Sequence, residues 1–557
     1  MHDLVIENAL LCDGTGAPAI EAGVSVSAGK ISGIGANLGA ARHKVDAQGL
    51  VLAPGLVDIH THYDAQITWD TTTSPSPEMG VTTVVMGNCG FGIVPCRPED
   101  RELTLRNLTK VEGMPLEALL EGVQWRFESF GEYLDTIERR GVVPNVATFA
   151  AHSNIRLYVM GKGNTEREAT PGEITRMQEV LRETLAAGAI GLGTSTAESH
   201  NGDGGIPMPS RFAGADEFRA LVETLGEVPG RVFQITKGKG PDIEFLEEIA
   251  KDTGCSVQVC PLLQDPGQPG FVFEEMAKVA AARSRGVELY GQVSPFPEIL
   301  EFTIESPFLL ESIQAWRPAM AAADKQALKS IYLDESFRKA VREELTHAGA
   351  PFRFSNQWNT MTITRGHSPA SRALEGRDVA AIAKERDVHP LDCMLDIGLD
   401  DDLKTNFKCV VFNADEQEVK KLLAHEYSVV GLGDAGAHLT FFCQAGSGLY
   451  LLQNFVRKNR ALSIEHAIQL LTSQPADAFR IPDRGRIKVG GNADLFLFDP
   501  DEAGLGERCV VADLPGGVER IHTPALGVHG VWVNGEQVAD AGGLIANAAR
   551  AGRVIRP

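Results

Sequence analysis

The chain opens on short runs in which apolar and polar residues alternate, DLVIENALLCDG, GVSVSAGKISGIG and HKVDAQGLVLAPG, each closing on a glycine. Alternation with a period of two marks half-buried strands, so this opening predicts a small antiparallel sheet. Near the other end RIKVGGNADLFLFDP and GVHGVWVNGEQVADAGG repeat the order strand, glycine turn, strand. The two ends, residues 1–54 and 481–557, are therefore expected to form one small β-sandwich domain.

Between them the rhythm changes. Short apolar runs, TTVVMGN, NVATFAAH, GAIGLGTS, RVFQITK, SVQVCPLL and SVVGLGDAG, alternate with helical stretches, which implies an α/β fold with a parallel sheet. The segment EITRMQEVLRETLAAG places Ile174, Met177, Val180, Leu181 and Leu185 on one helical stripe and stops at Gly188, as an outer helix of a barrel should. Enough such units occur over residues 55–480 to predict a (β/α)8 TIM-like barrel, whose active-site residues would sit at the carboxyl ends of its strands. From about Gly270 to Lys420 the pattern is mostly helical and longer than a simple barrel requires, so part of it is expected to be an insertion near the barrel mouth.

Composition narrows the classes. A chain of 557 residues exceeds what one core usually supports, and 43% apolar with 23% charged residues is a globular balance rather than a disordered one. A formal charge of −22 would repel nucleic acid or an anionic membrane, so neither is an expected partner. No run approaches the roughly 20 apolar residues of a membrane span, and the start, MHDLVIENALLCDGTG, lacks a secretory signal pattern; a cytoplasmic location is the expectation. The nine cysteines are an odd, scattered set without a CxxC pair and read as reduced thiols.

The sharpest chemical signal is PGLVDIHTHYD. Gly55 to Ile59 reads as a buried strand, and residues two apart on a strand face the same side, so His60 and His62 can converge on one metal ion. PGLVDIHTH resembles the first-strand signature of the amidohydrolase superfamily, and GRIKVGGNADLFLFDP is similar to its closing signature. GVTTVVMGNCGFGIVP looks like the N-acyl-D-amino-acid deacylase branch. That resemblance implies a zinc enzyme, with one or two ions or another divalent metal, in which Cys89 is a ligand; the plainer reading of Cys89 is a buried small hydrophobe. In SVVGLGDAGAHL the resemblance places Asp434 at the end of the eighth strand, touching the metal site and shuttling a proton as general base and acid. His438, four residues on, would stand beside the metal site or face the substrate.

The branch also carries histidines at the ends of the fifth and sixth strands, where this chain reads RVFQITKGKG and SVQVCPLLQD. Lys237 can compensate, carboxylated as a metal bridge or as an ammonium binding a substrate carboxylate; the plain alternative is a surface lysine. His152 in FAAHSNIR and His200 in TSTAESHNGDG are candidates for substrate contact at the same barrel face, and Arg365 with His367, in TITRGHSP, for a carboxylate clamp. The resemblance implies hydrolysis of an amide C–N bond in a small molecule, such as an N-acyl amino acid, and family habit implies a homo-oligomer. Two other readings stay open: a cyclic amidase of the dihydropyrimidinase type, and a metal-free scaffold that uses the barrel for binding.

Overall fold

The computed structural model describes residues 1–557 except 239, 312, 347–353, 355 and 440–443. Eight parallel strands form the barrel: Leu56–Asp58, Val81–Met86, Asn145–Thr148 continued by Ala150–Ala151, Gly191–Ser195, Val232–Thr236, Ser256–Cys260, Leu289–Val293 and Ser428–Val430. Most of them are short and buried on both faces, which is why they read as continuous apolar runs rather than as alternation. The ring closes where Thr61 bridges Ala435 and the His62 N–H donates to the Ala435 carbonyl at 2.8 Å. The extended backbone beyond the first strand therefore carries both histidines to the seam with the eighth.

The helix preceding the fourth strand, Pro171–Ala187, shows how local sequence sets an element. Thr170 and Glu173 cap its start reciprocally, and Gly188 ends it at φ 116°. Met177, Val180, Leu181 and Leu185 are buried against the barrel, while Ile174 from the predicted stripe is only half-buried.

The helical region starts later than its pattern suggests. Phe271–Ser284 and Leu289–Val293 complete a regular barrel unit inside the stretch read as mostly helical. That strand is hard to see because it is five residues long and has Gly291 at its centre, where a Cβ would lie 2.6 Å from Leu262 and Met276. The true excursion holds a three-stranded antiparallel sheet, Glu298–Phe302, Asn406–Phe412 and Met361–Arg365. Helices such as Lys325–Leu333, Glu335–Leu345 and Pro390–Asp400 cover it. It has an apolar core of its own, including Trp316, Tyr332, Phe337, Met394 and Phe407.

The chain ends share one nine-stranded sheet. Val51–Pro54 from the amino-terminal part pairs antiparallel with Leu495–Phe498 from the carboxyl-terminal part. Leu4, Ile6, Val24, Leu52, Leu495 and Trp532 fill the core beneath it. Among the described residues no helix is long and apolar enough to cross a membrane. The eight described cysteines are free thiols, seven of them buried; Cys443 lies outside the described residues.

Candidate active site

The first strand delivers His60 and His62 to the carboxyl end of the barrel, both buried. His60 Nδ1 lies 2.9 Å from Gln292 Oε1, on the seventh strand. A carbonyl oxygen only accepts, so Nδ1–H donates and the ring is turned with Nε2 toward the pocket. Nε2 faces Cys89 Sγ at 3.4 Å and Asp434 Oδ1 at 3.5 Å. His62 is oriented from the other side: its Nδ1 is 3.4 Å from Glu112 Oε1, leaving Nε2 3.7 Å from Asp434 Oδ1. A carboxylate behind an imidazole is the usual way to set the ring of a metal-ligating histidine. Asp58 accepts the His60 backbone N–H at 3.2 Å, and burial, the largest influence, pushes its carboxyl up to about 7.

Cys89 sits in the turn after the second strand at φ 57°. Gly90 follows at φ 72°, where any Cβ would lie 2.6 Å from the Gly193 carbonyl, so the GNCG turn presses directly on the fourth strand. The fifth and sixth strands end at Thr236 and Cys260, both lining the same pocket. Thr236 Oγ1 is 3.1 Å from Cys89 Sγ and 3.4 Å from Cys260 Sγ.

Asp434 lies just past the eighth strand at φ 41°, flanked by Leu432 at φ 60° and His438 at φ 52°. Left-handed backbone at residues other than glycine costs on the order of 1–3 kcal/mol each and persists where the surroundings impose it. Gly433 permits the bend, since a Cβ there would meet Asp58 Oδ2 at 2.5 Å. Burial alone would raise the Asp434 carboxyl. The imidazoles of His62, His60 and His438 around it, in their protonated form, outweigh burial and hold it well below the usual carboxylate range. Glu112 shows the opposite balance: burial pushes it up to about 7, with His62 opposing and Asp434 adding to the rise. His438 Nε2 approaches both, 3.9 Å from Glu112 and 4.0 Å from Asp434.

The other predicted residues divide. His200 lines the pocket, with Nδ1 2.6 Å from Ser195 Oγ and its ring edge-on to Phe91. Lys237 is not brought to the cluster. Thr236 is the last inward residue of its strand, so the next side chain points outward, and Lys237 Nζ pairs with Glu275 at 3.0 Å. His152 does not face the pocket either: it is fully buried, bonded to Thr194 at 2.7 Å and to Glu217 at 2.8 Å. Arg365 and His367 lie on the excursion sheet and the turn after it, exposed and away from the pocket lining. Conversely Glu112, Gln292 and Cys260 stand in the site without having been singled out from sequence. The sequence does carry a signal for Cys260, the last residue of the apolar run SVQVC at a barrel-strand end; for Glu112 and Gln292 no local pattern exists.

His60, His62 and Cys89 offer donor atoms all within 4.8 Å of one another, and all three residues are buried. Two imidazoles and a thiol, with Asp434 beside them, form a nitrogen, sulfur and oxygen set that fits a divalent transition metal. They stand at one end of a cavity of about 70 Å³ whose wall continues through Leu263, Ser294, Phe296 and Gln444.

A model of the amidohydrolase family matches residues 44–539. The chain belongs to that family. The amidohydrolase is 28% identical to the N-acyl-D-aspartate deacylase of Alcaligenes xylosoxydans xylosoxydans, over 100% of this chain and 95% of that protein. It is 27% identical to the D-aminoacylase of the same organism, over 96% of this chain and 94% of that protein. Its fold is shared with a crystal structure of N-acyl-D-glutamate deacylase from Bordetella bronchiseptica complexed with zinc and a phosphonate inhibitor, at a TM-score of 0.69, 24% identity and full coverage of both chains. This amidohydrolase is a hydrolytic enzyme acting on amide bonds.

Proposed function

We propose that the enzyme hydrolyses the acyl amide of an N-acyl amino acid or a closely related small molecule, using zinc held by His60, His62 and Cys89. The observation that carries this reading is the carboxylate of Asp434, within 3.5 Å of His60 and 3.7 Å of His62, at the edge of the donor cluster. A cation bound there supplies Lewis-acid polarisation of the carbonyl and lowers the pKa of water toward about 7.

The protein's own groups do the rest. Asp434, kept ionised by its imidazole neighbours, accepts a proton as the water oxygen bonds to the acyl carbon, then returns it to the amide nitrogen as the C–N bond breaks. Glu112 and Gln292 hold the two rings so that each Nε2 faces the reacting space. His200 and His438 contribute polar edges to the wall that receives the substrate. The deacylase names among the full-length relatives support an open-chain acyl amide over a cyclic one.

The test is a panel of N-acetyl D- and L-amino acids beside hydantoin and dihydrouracil, each assayed with zinc-loaded protein by release of free amine or ring opening. Turnover of N-acetyl amino acids is the expected result. Hydrolysis confined to the cyclic amides would overturn the proposal.

A further inference from the structure

We propose that Cys260 is a second thiolate ligand of the active-site cation, so that the site uses two sulfurs, one from the end of the second strand and one from the end of the sixth. The inference rests on the reading that this pocket holds a cation and deepens it.

The plain alternative is that Cys260 is a buried small hydrophobe, as free cysteines often are. That description suits Cys409 and Cys393, which sit among Leu, Ile and Phe side chains in the core of the excursion. It does not suit Cys260, whose sulfur is surrounded by polar atoms. Gln234 Nε2 lies 3.1 Å from it, Thr236 Oγ1 3.4 Å and His60 Nδ1 3.8 Å. The orientation of Gln234 is fixed independently, because its Oε1 accepts the backbone N–H of Cys89 at 2.9 Å. One amide therefore ties both cysteines, accepting from the backbone of one and donating N–H to the sulfur of the other.

A donor aimed at sulfur in a dry interior suits an acceptor carrying charge more than a neutral thiol. Thr236 adds a hydroxyl that reaches both sulfurs. Each strand end thus contributes a donor to the same few ångströms of space, and both cysteines line the pocket together with His60, His62 and Asp434. Two thiolates would offset a dication's charge within the site and favour a soft, thiophilic metal over magnesium or manganese. Gln234 and Thr236 then act as positioning residues for the pair.

The experiment replaces the metal with cobalt(II) in the full-length protein and reads two quantities, bound cobalt per chain and the near-ultraviolet sulfur-to-cobalt charge-transfer band. The expected result is that Cys260→Ser and Cys89→Ser each lose about half of the band per bound cobalt, and that the double variant loses it entirely. Cys260→His, which keeps a ligand of similar reach, guards against a folding failure; it should retain cobalt and also show the band reduced by about half. A full wild-type band with unchanged cobalt in the Cys260 variants, or total loss of the band in Cys89→Ser alone, would overturn this inference and leave the metal site standing. A wild-type protein that binds no cobalt and shows no band would instead overturn the cation reading beneath it.

Discussion

Two buried clusters of histidine and carboxylate stand near the mouth of this barrel, built from similar side chains and differing in how tightly they close. At the end of the third strand, His152 spends one ring nitrogen on Thr194 at 2.7 Å and the other on Glu217 at 2.8 Å, and Glu217 also binds Arg156. Both nitrogens of the His152 ring, and both oxygens of Glu217, meet their partners there at hydrogen-bond length. At the seam of the first and eighth strands, His60, His62, Asp434, Glu112 and Cys89 approach one another at 3.4 to 3.7 Å, facing a cavity. The nitrogen–oxygen spacings of that second group, 3.4 to 3.7 Å, are too wide for strong hydrogen bonds, and the group leaves room for an ion with ligand bonds of about 2.0–2.3 Å. The number of histidines does not separate a structural knot from a reactive centre. What separates them is whether the ring nitrogens are already used.

The sharpest way to break this contrast is to remove the open pair. His60→Ala combined with His62→Ala should abolish both bound metal and amide hydrolysis, measured by elemental analysis and amine release; metal retained at the wild-type level would move the site elsewhere. Next in size, Asp434→Asn should keep the metal but lower kcat by at least about a hundredfold, because the amide cannot take the proton; near-normal turnover would reject its role as base.

The smallest effect on chemistry belongs to the closed cluster. Glu217→Gln should leave metal content close to wild type while reducing stability by about 3 kcal/mol, since it strands the buried Arg156. A chemical denaturation midpoint equal to wild type would show that the pair contributes nothing. The pH dependence follows the same logic. Burial would raise the Glu217 carboxyl, but His152 and Arg156 outweigh it and hold it below the usual range. Its contribution is present above the ordinary carboxylate pKa and lost as pH falls toward the lowered value, so the variant should lose less stability on acidification than the parent.

Much of this was legible in the chain because it is local. The barrel announces itself through apolar runs ended by glycine turns, and HTH, GNCG and GDAGAH sit at the ends of such runs. Legibility failed where a residue's meaning depends on which way its strand is phased or on a distant partner. Lys237 is one residue beyond Thr236, and that single step in a period-two pattern turns its side chain to Glu275. His152 follows the third strand as expected, but Glu217 and Arg156, far along the chain, capture it. Arg365 and His367 belong to an excursion with its own core. Glu112 ends the helix Arg101–Val111 as a cap with no special composition, and only the folded chain shows that His62 stands against it.

The closure at Thr61 and Ala435 has a consequence for biosynthesis. Because the two histidines enter near the start of the barrel and their aspartate is among the last barrel residues translated, a nascent polypeptide carries only half of its reactive centre until almost the entire barrel has left the ribosome. Any message truncated ahead of residue 434 therefore yields a barrel that lacks both the closing bridge at Ala435 and the Asp434 carboxylate.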